Sequence, residues 1–243
     1  MNDSNSPISL VVPAYNEQDR IEASLIDIAR FIEGYPRLDE VLIVDDGSSD
    51  STAEIVRNFI GQQPTDTPFR LLQYGANRGK GYAVAHGLKT AQREIVAFSD
   101  TDLSAPIDQL TQLIDAIESG ADIAIGSRRL PDSVVKGLPG SRQLMGKIFS
   151  KLTRVLVVPG IADTQCGFKA YRKEVAHKLV ELQKMDGYTF DVEHLLLARQ
   201  MGLKVAEIPV LWIFTDGSQI NGLSDSIKMF KDLLALRKIH KTK

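Results

Sequence analysis

A chain of 243 residues with 43% apolar and 25% charged residues has the proportions of an ordinary globular protein and can enclose a substantial core. A formal net charge of -2 removes the electrostatic case for nucleic acid as a partner, which calls for a basic excess. The single cysteine, Cys166, rules out an intrachain disulfide, so nothing demands an oxidising compartment and a cytoplasmic location is expected. The opening MNDSNSP lacks the basic and apolar regions of a signal peptide, and no stretch approaches the roughly 20 apolar residues of a membrane span. Any membrane role is therefore expected to be peripheral or supplied by a partner.

In chain order, short apolar runs alternate with helical patterns. ISLVV at 8–12, EVLIVD at 40–45, FRLLQY at 69–74, EIVAFSD at 94–100 and ADIAIGS at 121–127 read as strands. Between them, 17–32, 51–60, 79–91 and 107–117 carry apolar residues at helical spacing, with Asp50 and Ser51 as capping candidates for the second helix. Such alternation predicts an α/β domain with a mostly parallel, buried sheet. The second half is less regular: a helix over about 141–157, the segment DTQCGFKAYR, helices near 173–183 and 190–201, a strand KVAEIPV and a final amphipathic helix. The expected organisation is one domain, with a first half over 1–127, a second half over 128–222 and a terminal helix over 223–243.

Open α/β sheets bind ligands outside the carboxyl ends of their strands, so the polar motifs found there carry the chemistry. Asp100 and Asp102 flank Thr101 directly after the fourth strand. Two carboxylates suit Mg²⁺, which completes its shell with water and substrate phosphates, although aspartate pairs are also common in turns. Asp45 and Asp46 end the second strand before a Gly-Ser-Ser turn. That cluster can cap a helix, and it offers more carboxylates than a cap needs. NRGKG at 77–81 sets Arg78 and Lys80 before a helix, where they can face an anion or stay in a solvated loop, and it does not fit a P-loop. GSRR at 126–129 sends Arg128 from the fifth strand toward the same crevice, suited to bidentate phosphate recognition or to simple solvation.

The ordered series VVPAYNE, VDDGSSDST, NRGKGYAV, SDTDLSAP, GSR, DTQCGFKAY and GYTFDVEHLLLA resembles family 2 glycosyltransferases of the GT-A fold, in the dolichyl-phosphate β-glucosyltransferase and dolichol-phosphate mannosyltransferase branch. DTQCGFK with FDVE is more similar to the glucosyl side. The resemblance implies a nucleoside pocket lined by Pro13, Ala14, Tyr15 and Glu17, with Asp45 on the base or ribose and Asp46 shaping that wall. It implies Mg²⁺ or Mn²⁺ on Asp100 and Asp102, with Thr101 and Lys80 on the donor side and Gln165 near metal or sugar. Arg128 would hold the acceptor phosphate, and Asp191 and Glu193 would face the transferred sugar. One departure stands out: WIFTDGSQ carries Asp216 and Gln219 where relatives carry cations.

The implied reaction is inverting transfer of a hexose, glucose from UDP-glucose first, to a polyprenyl or dolichyl phosphate. A phosphate monoester has a second pKa near ~6, so this nucleophile needs little help from a base. Alternatives are transfer from GDP-mannose, a soluble acceptor with Asp191 or Glu193 as base, and a nucleotide-sugar binding module without turnover, against which Asp100 and Asp102 both stand intact. RQLMGKIFSKLTRVLVV and the final SDSIKMFKDLLALRKIHKTK are basic and amphipathic. Either packs on the core or lies in a membrane interface.

Overall fold

The computed structural model describes residues 6–140, 146, 149–150, 152–155, 157–215 and 222–240. Seven strands form its central sheet in the order β3-β2-β1-β4-β7-β5-β8. They are β1 (Ile8–Ala14), β2 (Leu38–Asp45), β3 (Phe69–Gln73), β4 (Ile95–Ser99), β5 (Ile123–Ser127), β7 (Phe168–Arg172) and β8 (Val205–Pro209). The short β6 (Val134–Lys136) and β9 (Leu211–Ile213) pair in parallel beside it. The sheet is mostly parallel, as the alternating pattern predicted. β7 is the exception, running antiparallel between β4 and β5.

Both faces are covered, which is why these strands read as continuous apolar runs. Val12, Ile43 and Ala97 meet α1 (Ile21–Gly34), α2 (Thr52–Gly61) and α4 (Leu110–Glu118) in one cluster. Their neighbours Val11, Val44 and Phe98 meet α3 (Lys80–Thr90), α5 (Lys173–Leu182), α6 (Phe190–Gln200) and α7 (Gly222–Ile239) in the other. Period-two alternation thus sorts one strand's side chains into two cores. A strand from the second half lies in the middle of the sheet, so the two halves share one body.

The main departures from the expected boundaries are α4, which begins at Leu110 after a 3-10 turn over Ile107–Gln109, and α1, which begins at Ile21 rather than Glu17. The preceding amides are taken by the start of the next helix: Glu17 N donates to Thr52 Oγ1 at 2.7 Å and Gln18 N to Asp50 Oδ2 at 3.2 Å. Ser51 holds the N-cap position of α2 without a side-chain bond, and Asp50 supplies the acceptor, its Oδ1 taking Thr52 N at 3.0 Å. The expected helix over 141–157 falls mostly outside the described residues, and residues 152–155 are helical. Among the described residues no helix is long and apolar enough to cross a membrane.

Candidate active site

A cavity of about 460 Å³ opens at the carboxyl ends of β1 and β4, lined by Pro13, Ala14, Tyr15, Glu17, Asp46, Lys80, Asp100, Thr101 and Asp102 together with residues of α7. The sequence had singled out each of those nine. The two aspartates are set by a tight turn, in which Leu103 N donates to Asp100 O at 3.1 Å and Ser104 N to Asp102 Oδ1 at 3.0 Å. Leu103 holds a φ of 44°, a left-handed conformation a leucine rarely adopts, of the kind that surrounding contacts must enforce. Thr101 contributes as a clasp: its hydroxyl donates to Pro13 O, binding the end of β4 to the end of β1.

Antiparallel β7 accounts for a further wall. Its first residue, Phe168, pairs with Ser99, so the DTQCG segment lies at the crevice and Asp100 N donates to Gly167 O at 2.9 Å. A Cβ on Gly167 would fall 2.1 Å from Asp100 Oδ2, so only glycine lets the carboxylate occupy this position. Because the clash is with a side chain and not with backbone, Gly167→Ala is expected to fold normally while turning Asp100 out of place. The measurable result is a reduced affinity for Mn²⁺ in a titration, with an unchanged melting temperature. Wild-type affinity in that variant would detach Gly167 from the site.

Charges alternate around Asp100. Lys80 is ion-paired to it, and Asp191 is ion-paired to Lys169, which is fully buried in β7 and also donates to Cys166 O at 2.7 Å. Burial disfavours the Lys80 ammonium, but Asp100 and Asp191 outweigh it and hold the pKa above the usual lysine value. Burial raises the pKa of Asp191 despite Lys169 and Lys80. Burial also raises that of Glu17, opposed by its ion pair with Arg20 and reinforced by Asp102 and Asp100.

Several expectations meet a different arrangement. Asp45 lies behind the wall, fully buried, accepting from Ser48 N at 3.1 Å and Gln73 Nε2 at 2.9 Å. Asp46 reaches the wall, but its two oxygens are occupied by Tyr74 Oη, Asn77 Nδ2, Arg78 N and Gly79 N at 2.8 to 2.9 Å. It shapes the NRGKG loop. Of that loop's cations only Lys80 lines the cavity, since the Arg78 guanidinium stacks 3.5 Å above the Tyr82 ring.

Glu193 does not join Asp191. Residues two apart on a helix point roughly 200° apart. Glu193 is fully buried instead, accepting from Lys184 N and Met185 N at 2.8 Å and pairing with His240 Nε2 at 2.5 Å. Arg128 closes its fork on Asp163, Nε to Oδ2 at 2.7 Å and a terminal nitrogen to Oδ1 at 3.0 Å, and lies outside the residues that line the cavity. The guanidinium keeps Asp163 charged well below the usual carboxylate range in spite of its burial. Gln165 N donates to Asp163 Oδ1 at 3.2 Å, two residues before the Gly167 contact, and its side chain is not among the cavity lining. Asp216 and Gln219 lie outside the described residues.

The sequence reading missed Gly167, Lys169, Asp163 and the α7 residues. A lysine inside the apolar run FKAY was the available signal for a buried ion pair. Nothing local marked α7 as part of the site.

Comparison with known proteins agrees with this geometry. The model of the glycosyl transferase family 2 matches residues 9–180. The chain is 35% identical to the dolichyl-phosphate beta-glucosyltransferase of Dictyostelium discoideum over 96% of its length and 74% of the relative's. It is 31% identical to the human enzyme of that name over 95% of its length and 74% of that protein. Glucosyl-3-phosphoglycerate synthase of Mycobacterium tuberculosis, in complex with Mn²⁺, UDP and glucosyl-3-phosphoglycerate, superimposes with a TM-score of 0.72 at 20% identity, covering 95% of this chain and 80% of that one, and so shares the GT-A fold. A sheet open at the ends of β1 and β4, a paired aspartate turn at that opening and a family match across most of the chain lead to one conclusion: this protein belongs to glycosyl transferase family 2.

Proposed function

We propose that the protein transfers glucose from UDP-glucose to a polyprenyl phosphate of the dolichyl type, with inversion at the anomeric carbon. The observation that carries the donor half is the pair Asp100 and Asp102 on one cavity with Tyr15, Glu17 and Lys80. The acceptor half rests on the names of relatives that match nearly the whole chain.

A divalent ion fits this donor set. Both aspartates are hard oxygen donors facing the cavity, and Asp100 has a side chain 35% exposed. The described residues hold no cluster of three or more His, Cys, Asp or Glu suited to a metal. Two carboxylates leave the rest of the shell of Mg²⁺ or Mn²⁺ to water and phosphates, as in a nucleotide complex. When bound, the ion would neutralise charge developing on the departing diphosphate.

The chain's own residues position and balance charge. Lys80 holds Asp100 while keeping an ammonium at the cavity. Tyr15, Pro13 and Ala14 give the nucleoside an apolar wall. Asp191 is committed to Lys169, and Glu193 to two amides and His240, so neither stands free as a general base. This favours an acceptor that arrives already ionised, such as a phosphate monoester, over a sugar hydroxyl. Peripheral membrane contact belongs to the same proposal: Phe230 and Leu234 are exposed on α7 beside exposed Lys231, Arg237 and Lys238, a pairing suited to an anionic interface at the cytoplasmic face.

The test is a donor screen. Radiolabelled UDP-glucose with dolichyl phosphate and Mn²⁺ should move label into the organic phase, and label that stays aqueous defeats the acceptor assignment. In isothermal titration with Mn²⁺, UDP should bind more tightly than GDP. A preference for GDP would transfer the assignment to a mannosyl donor.

A further inference from the structure

The cavity's charge is lopsided. Its lining includes the acidic Glu17, Asp46, Asp100, Asp102 and Asp232 against the basic Arg20, Lys80 and Lys228. Two of those cations are matched, Arg20 by Glu17 and Lys80 by Asp100. Lys228 is exposed and makes no ion pair or hydrogen bond with any described residue. Asp232, at i+4 on the same helix, accepts the Thr189 hydroxyl at 3.2 Å instead. Lysine preceding the acid is also the weaker order for such a helical pair.

The position of Lys228 is set by the rest of α7. Leu233 and Leu236 are fully buried in the core that contains α6, His240 pairs with Glu193, and Gln200 Nε2 donates to His240 O at 2.8 Å. The helix is thus fastened through its second half, and its nearer turns carry Lys228, Met229 and Asp232 to the cavity. A nucleoside diphosphate entering here adds further negative charge to a predominantly acidic lining. It would meet in the lining one cation on α7, Lys228, that no described carboxylate pairs with.

We propose that Lys228 binds the diphosphate of the nucleotide donor, which makes α7 part of the donor site and not only a packing or interfacial helix. This rests on the reading above that the cavity takes a nucleoside diphosphate. Ammonium-to-phosphate contact is point-like, so charge matters more than shape.

The experiment titrates the full chain, in Mn²⁺, with UDP and separately with uridine, for the wild type and for Lys228→Ala, Lys228→Arg and Lys228→Glu, with melting temperatures in parallel. Lys228→Ala should weaken UDP about tenfold, which is ~1.4 kcal/mol, and leave uridine unchanged. Lys228→Glu should weaken UDP further, Lys228→Arg should recover most of the loss, and no variant should melt differently, because the residue is exposed. Equal UDP affinity in Lys228→Ala, an equal loss for uridine, or an arginine variant no better than alanine would each overturn the assignment. A wild type that binds no UDP would instead defeat the underlying donor reading.

Discussion

Asp102→Asn should cut transfer by roughly 10²- to 10³-fold while leaving the fold intact. A divalent ion at a developing diphosphate supplies several kcal/mol of charge stabilisation, and removing one anionic ligand forfeits much of it. The fold survives because the Asp102 oxygen that accepts from Ser104 N at 3.0 Å has a counterpart in asparagine, so the turn keeps its closing bond. Asp100→Asn should lose as much activity and also weakens the ion pair that steadies Lys80. The checks are initial rates with saturating donor, Mn²⁺ binding followed by electron paramagnetic resonance, and thermal melts. Near-normal turnover of either variant, or of the wild type in excess EDTA, would rule out the metal reading.

Lys169→Met should be the most destabilising single change, by about 3–5 kcal/mol. Lys169 is fully buried in the central antiparallel strand, and its ammonium is the partner that lets Asp191 remain in the interior. Without it, burial would push the Asp191 carboxyl further up, and the group would be protonated or left as an uncompensated charge. For a domain of this size the loss corresponds to a fall in melting temperature of roughly 6–20 °C. The double variant Lys169→Met with Asp191→Leu should recover much of that, since replacing both partners with apolar groups removes the stranded charge. A double variant as unstable as the single one would mean that Lys169 contributes through packing rather than charge.

Much of the fold was legible because its signals are local. The apolar runs ending in Asp45, Ser99 and Ser127 are strands, and Asp50 with Thr52 opens a helix where capping chemistry predicts one. The paired aspartates Asp100 and Asp102 announced the site because residue type and position at a strand end are both sequence properties. Pro13, Tyr15 and Glu17 came with the family resemblance, Lys80 with the NRGKG motif, and all four line the cavity.

Pairings between distant residues were not legible. Arg128 and Asp163 are 35 positions apart, and only the fold decides that this guanidinium closes on a carboxylate of its own chain. Glu193 beside Asp191 looked like one acidic pair, yet the helical turn sends them to opposite sides, one to Lys169 and the other to His240. The direction of β7 decided most. Periodicity is the same for parallel and antiparallel strands, so FKAYR alone could not reveal that its chain direction brings Gly167 against Asp100 and Lys169 under Asp191. The sequence by itself determined β1 to β5, β8, the helices around them and the aspartate turn, but not β6, β7 or β9, because the former depend on neighbours in the chain. The tertiary structure decided which charges meet and that the terminal helix reaches the donor cavity, because those contacts exist only once distant segments are packed together.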